Sequence, residues 1–356
     1  MKTFRLRVCL VVLLAAAAVL GLRYFGSAAT LTRTEVRMNT PMTVTLVGER
    51  NKAEKALSGV FDLLAFLNEE FSRYRHESAV SRLGAMAGKE PVVVGADLYL
   101  LLQESLRLAE STGGCFDPTI GPLTDLWRIM SKNGYALPAR EEIETARARV
   151  DYRELELISP DRAFLRFQGA KIDLGAIAKG YAADRVAEYC RMEGIRSGLF
   201  DLGGNLLVMG RRSDGKPWLL GIRHPLKERN AVFCTIVCDV KEADTLSVVT
   251  SGSYERYREV DGKRLSHIFD PRTGFPVETP LLSVSVIASK SVIADALATA
   301  FLVMGEEKAR PVLDKFPGTE AVFILSGEGG ELEVHATKGL RGLLEAADEV
   351  TQIDFR

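Results

Sequence analysis

The sequence lacks the features that would assign it to several common protein classes. Its 356 residues hold only five Cys and four His, which are too few for a disulfide-stapled scaffold. Lys plus Arg number 46 and Asp plus Glu number 47, so no basic excess indicates a nucleic-acid partner. No G-x-G-x-x-G, G-x-x-x-x-G-K-[ST] or H-E-x-x-H motif occurs, which removes the common dinucleotide, P-loop and zinc-protease interpretations.

The chain also lacks a long hydrophobic run. The apolar stretch at residues 8–22 is 15 residues long, whereas a membrane-spanning helix needs roughly 18–20. Basic residues precede it and small residues follow at 26–29, an arrangement that predicts an export signal over residues 1–28. An uncleaved inner-membrane anchor through residues 8–22 is the alternative. Both predict an exported, periplasmic body.

The remaining sequence has the composition of a folded protein, with 47% hydrophobic and 26% charged residues. Strand patterns come mostly in consecutive groups with helical patterns between the groups, which predicts an α+β fold rather than a regular βαβ series. Alternating apolar residues over 33–47 predict one strand. No Pro- or Ser-rich linker divides the body, so residues 33–345 are predicted to form one domain of two intertwined lobes with mixed and antiparallel sheets.

Two cysteines lie on one predicted strand. Cys234 and Cys238 are four residues apart in AVFCTIVCDV, a spacing that puts both on the same face. A disulfide or a metal pair is conceivable, but no second Cys pair or nearby His completes a zinc site. We therefore predict two small core residues.

Two glycine-containing segments are candidate ligand contacts. Residues 113–127 combine Gly, Pro and Asp with Phe116, which could stack on a planar ring, although a purely structural loop is equally compatible. In residues 171–189, a strand carrying Asp173 passes into a helix that contains Lys179. Free N–H groups at such a junction suit a phosphate, while Asp173 suits a hydroxyl, a ring nitrogen or a metal. A helix-capping Asp is the alternative.

His267 is the candidate acid or base. It lies on the return strand of a predicted hairpin, three residues before Asp270-Pro271-Arg272-Thr273-Gly274. A lone His is more often structural, but the polar turn beside it favours a catalytic role.

Asp295 and Thr299 are candidate ligands of Mg²⁺. They are four residues apart on an apolar helical pattern, so both occupy one helix face. A carboxylate and a hydroxyl side by side suit Mg²⁺, which keeps water and phosphate oxygens as its other ligands. Alternatively, Asp295 favours the helix N-terminus and Thr299 bonds its own backbone.

An ordered series of motifs resembles the ApbE family of FAD:protein FMN transferases. The resemblance runs from about Met38 to about Gly305, and its specificity comes from the order and spacing of the whole series. The motifs are Met38-Asn39-Thr40, FSRYRHESAVSRL, GGCFDPTIGPLTDLW, IDLGAIAKGYAADR, GGN, TSGSYERY, HIFDPRTGFP and ADALATAFLVMG.

The resemblance implies an ApbE-like α+β fold with an FAD site between the lobes. It implies FAD as substrate, Mg²⁺ as cofactor, and transfer of FMN to a Thr or Ser hydroxyl of an exported or membrane redox protein, with release of AMP. Family acceptors include Nqr-like and Rnf-like subunits. A Mg²⁺-dependent FAD pyrophosphatase that yields FMN and AMP, and a non-catalytic FAD-binding envelope protein, are the alternatives.

The resemblance also implies roles for particular residues. His267 would be the base for the acceptor hydroxyl. Mg²⁺ would be held by the side chains of Asp295 and Thr299 and by the backbone carbonyl of Ala176. The positions expected to contact FAD are Met38, Tyr74, Cys115, Phe116, Asp117, Asp173, Lys179 and Phe269.

Several positions depart from the commoner family pattern. Asn39, Cys115 and Ser253 replace a usual Gly, Ala and Asp, respectively. Some relatives carry Thr, Glu and Asp at the positions of Ala176, Lys179 and Ala298. Fewer side-chain oxygens would therefore face the metal, which puts the ligand set in question more than the metal itself.

Overall fold

The computed structural model describes residues 28–129, 136–228, 231–327, 331–346 and 353–356. The predicted signal or anchor at 1–28 lies outside these residues except for Ala28. Within the described ranges, no helix has both the length and the apolar character needed to cross a bilayer.

The described residues form helices and strands in consecutive groups, as the patterning predicts. The helices are α1 (Arg50–Phe71), α2 (Ala79–Ala85), α3 (Ala96–Ser111), α4 (Gly121–Trp127), α5 (Arg140–Arg147), α6 (Ala178–Met192), α7 (Ser291–Met304) and α8 (Glu306–Leu313). The strands are β1 (Ala28–Arg37), β2 (Thr40–Glu49), β3 (Val92–Val93), β4 (Leu155–Ile158), β5 (Arg162–Leu165), β6 (Ser197–Asp201), β7 (Asn205–Met209), β8 (Trp218–Arg223), β9 (Val232–Cys238), β10 (Thr245–Gly252), β11 (Tyr257–Val260), β12 (Lys263–Ser266), β13 (Leu281–Ala288), β14 (Glu320–Ser326), β15 (Leu332–Ala336), β16 (Leu344–Ala346) and β17 (Ile353–Phe355).

A nine-stranded sheet forms the centre of the molecule. Its strand order is β1-β2-β6-β7-β10-β13-β14-β15-β17. Neighbouring strands are antiparallel except for the parallel pair β15 and β17. Three smaller sheets, β11-β12, β16-β9-β8 and β3-β5-β4, complete the strand pairing of the described residues. This arrangement confirms the predicted α+β class with mixed and antiparallel sheets.

The central strands of the large sheet are buried on both faces, and their successive side chains point alternately into two different cores. Leu207 and Val249 belong to an apolar core shared with residues of α1, α3, α6 and α7. Their neighbours Val208 and Val248 belong to a second core, shared with the sheet β16-β9-β8. The large sheet thus separates a helical layer from a small second sheet.

Residues 33–47 differ from the sequence-based prediction. They form the ends of two antiparallel strands, with Arg37 opposite Thr40, rather than one continuous strand. Met38 and Asn39 make the turn with φ of 47° and 58°. The prediction was wrong because an apolar Met at the turn continues the alternation of the flanking strands, while the left-handed turn conformation leaves no trace in the hydrophobic pattern.

The cysteine prediction is confirmed. Cys234 and Cys238 are both buried in the core between the two sheets, and both thiols are free. Burial raises the pKa of each thiol to about 12, so neither is a thiolate at neutral pH.

Candidate active site

Helices α6 and α7 each place a carboxylate at the N-terminus of the other. Asp184 on α6 accepts hydrogen bonds from the backbone N–H groups of Ser291 and Val292, at 2.9 and 3.0 Å. Asp295 on α7 accepts through Oδ2 from the backbone N–H of Gly180, at 2.8 Å. Carboxylates satisfy free N–H groups at a helix start and interact favourably with the helix dipole. These reciprocal contacts fix the position of Asp295.

Gly180 permits this close approach of the helices. A Cβ atom at position 180 would lie 2.4 Å from the carbonyl oxygen of Ser291 and 2.8 Å from Cβ of Asp295. Both distances are too short for any side chain, so a glycine is required here. The glycine in the AKGYAAD segment thereby brings Asp295 against the start of α6.

Asp295 is a buried carboxyl, with 3% of its surface exposed. Burial raises its pKa, while the positive charge of Lys179, the Gly180 amide and the Asn205 side chain act in the opposite direction. Asn205 is fully buried, and its Oδ1 accepts from the Ser291 hydroxyl at 2.7 Å. Its Nδ2 forms no hydrogen bond of normal geometry within the described part of the chain, yet it lies close enough to the Asp295 carboxyl to lower the pKa of that group. A buried donor that is not fully satisfied thus lies beside a buried carboxyl.

Hydroxyl groups lie one helical turn further along α7. Thr299 Oγ1 and Ser251 Oγ are 3.0 Å apart. No cluster of three or more His, Cys, Asp or Glu that could hold a metal occurs among the described residues. A cation here would therefore be held by one protein carboxylate together with hydroxyl, carbonyl and ligand oxygens. Mg²⁺ is commonly bound in this way, through one or two carboxylates and the phosphates of its substrate, so the donor set fits the predicted metal.

His267 is held in a defined protonation state. Its Nδ1 lies 2.9 Å from the carbonyl oxygen of Arg256. Because a carbonyl oxygen can only accept, Nδ1 carries the hydrogen and Nε2 keeps its lone pair. Burial lowers the pKa of His267 to about 4, with the Arg256 carbonyl opposing this and the charge of Lys179 adding to it. The imidazole is therefore neutral at pH 7, with Nε2 able to accept a proton.

Lys179 connects the two groups electrostatically. It lies in the first turn of α6 and is partly buried. Its positive charge lowers the pKa of both Asp295 and His267, which places the ammonium group within electrostatic range of each. The structure thus groups three predicted site residues around the start of α6.

A second polar cluster surrounds Asp173. Arg73 Nη1 donates to Asp173 Oδ2 at 2.6 Å, and Arg73 Nη2 donates to Asp125 Oδ1 at 2.6 Å. Asp173 Oδ1 accepts from the backbone N–H of Gly175 at 2.9 Å. Tyr74, predicted to contact FAD, is 73% exposed and lies against the guanidinium of Arg73, 5.5 Å from ring centroid to Cζ.

Asp117 holds its own loop together. Its Oδ1 accepts from the backbone N–H and the hydroxyl of Thr119, at 2.7 and 2.6 Å, and its Oδ2 accepts from the Tyr152 backbone N–H at 2.9 Å. Burial raises its pKa to about 6, although these hydrogen bonds oppose the rise. Neighbouring Cys115 and Phe116 are buried in the main core. The structure shows a structural role for Asp117, and FAD contact by these three residues stays a prediction.

The segments 113–127 and 269–276 lie against each other. Phe269 stacks on Trp127 with ring centroids 6.1 Å apart, and Trp127 Nε1 donates to the Gly274 carbonyl at 2.8 Å. The charges of Arg272 and Asp270 both act on the pKa of the Cys115 thiol, so this contact extends to Cys115. Two predicted FAD positions, Phe269 and Cys115, are therefore held near one interface.

Met38 lies apart in sequence, at the β1–β2 turn. It is partly buried and borders a cleft of about 300 Å³, which is also lined by residues of α1. Ala176 precedes α6 by two residues and is partly buried, which leaves its predicted metal contact as an expectation.

Four residues of these clusters are missing from the sequence-based assignments. They are Arg73, Asp184, Asn205 and Ser251. Each lies within a motif that carries the family resemblance, so the motifs supplied a signal. Their roles depend on partners between 48 and 108 residues away, which one sequence does not reveal.

Comparison with known proteins identifies relatives over most of the chain. The ApbE family model matches residues 38–323. A Treponema pallidum protein named FAD:protein FMN transferase is 37% identical over 340 residues, covering 91% of this chain and 90% of its own length. A protein of the same name from Escherichia coli K12 is 33% identical, and the alignment covers 77% of each chain.

Solved structures agree with this result. The flavin transferase ApbE from Vibrio cholerae superimposes with a TM-score of 0.78 at 28% identity, covering 89% of this chain and all of that one. An ApbE protein from Thermotoga maritima gives a TM-score of 0.78 at 31% identity, covering 88% of this chain and 99% of the other.

Proposed function

Because this chain belongs to the ApbE family, we propose that it is an FAD:protein FMN transferase. The reaction breaks the pyrophosphate bond of FAD. The FMN phosphorus forms a new bond to a Thr or Ser hydroxyl oxygen of an acceptor protein, and AMP leaves with the bridging oxygen. The observation that carries this proposal is the match of the ApbE family model to residues 38–323, within which His267 is held by the Arg256 carbonyl and Asp295 is buried against the start of α6.

His267 is proposed as the base. Its Nε2 lone pair accepts the proton of the acceptor hydroxyl while that oxygen attacks phosphorus. The Arg256 carbonyl supports this step because it fixes the tautomer and stabilises the imidazolium that forms. A pKa of about 4 makes the imidazole a weak base in the free protein. The negative charge of a diphosphate bound nearby would raise that pKa and strengthen the base.

Lys179 and Asn205 are proposed to bind the diphosphate. Lys179 supplies a positive charge next to His267 and Asp295. Asn205 Nδ2 is a buried donor near Asp295 that forms no hydrogen bond of normal geometry in the described residues, and a phosphate oxygen would satisfy it. Met38, Tyr74, Cys115, Phe116, Asp117, Asp173 and Phe269 are proposed as the remaining FAD contacts, in line with the family resemblance.

We infer that Asp295, Thr299 and the carbonyl of Ala176 hold Mg²⁺. When bound, the ion neutralises charge at the pyrophosphate, as is usual in phosphoryl transfer. The hydroxyl of Ser251, 3.0 Å from that of Thr299, orients the Thr299 hydroxyl. The buried position of Asp295 excludes water from this end of the site.

We also propose that the protein acts in the periplasm. The basic, apolar and small-residue pattern of residues 1–28 supports export, either with cleavage or with an inner-membrane anchor through residues 8–22. Its acceptor would be an exported or membrane redox subunit, of the Nqr-like or Rnf-like kind, with a Thr or Ser flavinylation site.

The decisive experiment incubates the purified protein with FAD, Mg²⁺ and a candidate acceptor subunit. Mass spectrometry and in-gel flavin fluorescence report the products. An FMN-sized mass gain on an acceptor Thr or Ser, with AMP released, supports the transferase. Free FMN and AMP without acceptor labelling would instead indicate the pyrophosphatase, and intact FAD would indicate a binding protein. An Asp295→Ala variant serves as the inactive control.

A further inference from the structure

We propose that Arg73 is a positioning residue, which orients Asp173 and Tyr74 for contact with FAD. Arg73 lies just beyond the end of α1, and 10% of its side-chain surface is exposed. Its guanidinium contacts two other segments. It reaches α4 through Asp125 Oδ1 and the Gly121 carbonyl, at 2.6 and 3.1 Å, and the segment before α6 through Asp173 Oδ2, at 2.6 Å. The inference rests on the proposed function, because it concerns how that site holds FAD.

The two carboxylates depend on Arg73 to different degrees. Asp125 has a second cation, since Lys171 Nζ lies 2.7 Å from its Oδ2. Asp173 has no other ion pair among the described residues, and its remaining hydrogen bond comes from the Gly175 backbone. Loss of Arg73 would thus leave Asp125 paired but would leave Asp173 without a fixing cation. Arg73 therefore matters more for the orientation of Asp173 than for that of Asp125.

Arg73 also supports the next residue along the chain. The Tyr74 ring lies against the guanidinium at 5.5 Å, within the range of a cation–π contact. Tyr74 is otherwise largely exposed, so this contact limits its orientations before a ligand arrives. One planar guanidinium thereby orders two residues that are predicted to touch FAD. A lysine could not reproduce this, because it lacks the planar fork that meets two acceptors at once.

The test compares Arg73→Gln with Asp125→Asn as a matched control. Both variants break the Arg73–Asp125 pair, but only the first releases Asp173. Hydrogen bonds to charged groups are worth enough that we expect Arg73→Gln to weaken FAD binding about tenfold or more, measured by flavin fluorescence quenching. The rate at saturating FAD should change far less than KM. Asp125→Asn should bind FAD as the unchanged protein does, and Arg73→Lys should recover only part of the loss.

A double variant tests whether Arg73 acts through Asp173. If it does, Arg73→Gln combined with Asp173→Asn should weaken FAD binding no more than the stronger single variant. Unchanged FAD affinity in Arg73→Gln would overturn the inference. Equal losses of FAD affinity and of unfolding stability in Arg73→Gln and Asp125→Asn would also overturn it, because they would indicate a merely structural ion pair. Failure of the unchanged protein to bind FAD would overturn the proposed function itself, and the role of Arg73 with it.

Discussion

The N-termini of α6 and α7 are each capped by an Asp side chain from the other helix, but the two Asp residues have different surroundings. Asp184 is partly buried and Asp295 is almost fully buried. Each caps the other helix, and burial raises the pKa of both. Asp184 meets two backbone N–H groups, one at each oxygen. Asp295 meets one backbone N–H and lies near Lys179 and the incompletely satisfied amide of Asn205.

We propose that this difference separates a structural carboxyl, Asp184, from a functional one, Asp295. Where each oxygen has a backbone donor, the charge is offset within the protein and no ligand is needed. Where donors remain free and a hydroxyl lies one turn away, the same buried charge is available to a cation or a phosphate. Burial and a raised pKa are common to both ends, so neither property alone identifies the active site.

Among the variants, Asp295→Asn should have the largest effect on the rate of FMN transfer, and it tests the proposed role of Asp295. The amide oxygen can still accept from Gly180, so the free energy of unfolding should change by less than about 1 kcal/mol, while the charge is lost. We expect the rate of FMN transfer to fall by about 10²–10³-fold or more. Acceptor labelling measures the rate, and denaturant unfolding measures the stability.

Asp184→Asn is the matched variant, and it tests the structural role of Asp184. It replaces one of two acceptors with an amide donor that faces a backbone N–H group, so the unfolding free energy should fall by about 1–3 kcal/mol. The folded enzyme should keep most of its transfer rate. If both variants lost activity and stability in parallel, the distinction between the two ends would be wrong.

The second prediction concerns the pH dependence set by His267. Since burial holds its pKa near 4 against an ordinary value of 6.5, the imidazole stays neutral until the pH falls well below 6. Lys179 and Arg256 favour this neutral form, whereas Glu255 and the Arg256 carbonyl oppose it. For FMN transfer, kcat/KM should therefore be flat between pH 6 and 8 with respect to this group and should fall at lower pH, with a midpoint near 4.

The His267→Gln variant provides the control for this profile. Glutamine cannot take up the proton, so we expect a loss of about 10²–10⁴-fold in kcat and no acidic limb assignable to residue 267. An acidic midpoint near 6.5 in the unchanged protein would show that the surroundings of His267 do not lower its pKa. If kcat/KM of the variant still fell at low pH with the same midpoint, the titration would belong to another group.

The third prediction tests the close contact that positions Asp295. Gly180→Ala introduces a Cβ that meets both Ser291 and Asp295. The helices must move apart, so we expect a loss of about 1–3 kcal/mol in unfolding free energy and a lower transfer rate. Gly84→Ala is the control, because Gly84 lies within α2 and its nearest neighbour would be 3.6 Å from the added Cβ. That variant should be neutral or stabilised by up to about 1 kcal/mol.

The smallest effect is expected at Cys115. Burial raises the pKa of its thiol, so little reactive thiolate forms at neutral pH. Treatment of the folded protein with iodoacetamide should leave the FMN transfer rate unchanged, with Cys115 unmodified in a peptide mass map. Rapid alkylation of Cys115 with loss of activity would show an accessible thiol in the site.

The sequence predicted much of the secondary structure but fewer of the polar contacts. Apolar residues recur at helical spacing within α1, α3 and α7, so the sequence indicates these helices. Asp261-Gly262 is a typical hairpin turn, and it joins β11 to β12. The short strands β16 and β17 were not predicted, because three residues carry no periodic pattern and their pairing is set by distant strands.

The same limit applies to the site. Spacing put Asp295 and Thr299 on one helix face, and the chemistry of a carboxylate beside a hydroxyl already made them candidate ligands of Mg²⁺. The family resemblance implied the same role. Three other features could not be predicted, because they depend on contacts between segments that are far apart in the sequence. They are the helix cap from Asp184, the amide of Asn205 and the paired contacts of the Arg73 guanidinium. Likewise, Asp117 and Asp295 both lie within motifs that carry the family resemblance, and only the structure shows that the hydrogen bonds of Asp117 are supplied by its own loop and Tyr152.

Divalent-cation binding tests the central claim most directly. Mn²⁺, used as a spin-active substitute for Mg²⁺, would be titrated into the protein with FAD and followed by loss of the free-ion EPR signal. The account predicts one bound Mn²⁺ per chain in the unchanged protein and in Asp184→Asn, and its loss in Asp295→Asn. Equal Mn²⁺ binding by folded Asp295→Asn would contradict the assignment of the functional carboxyl.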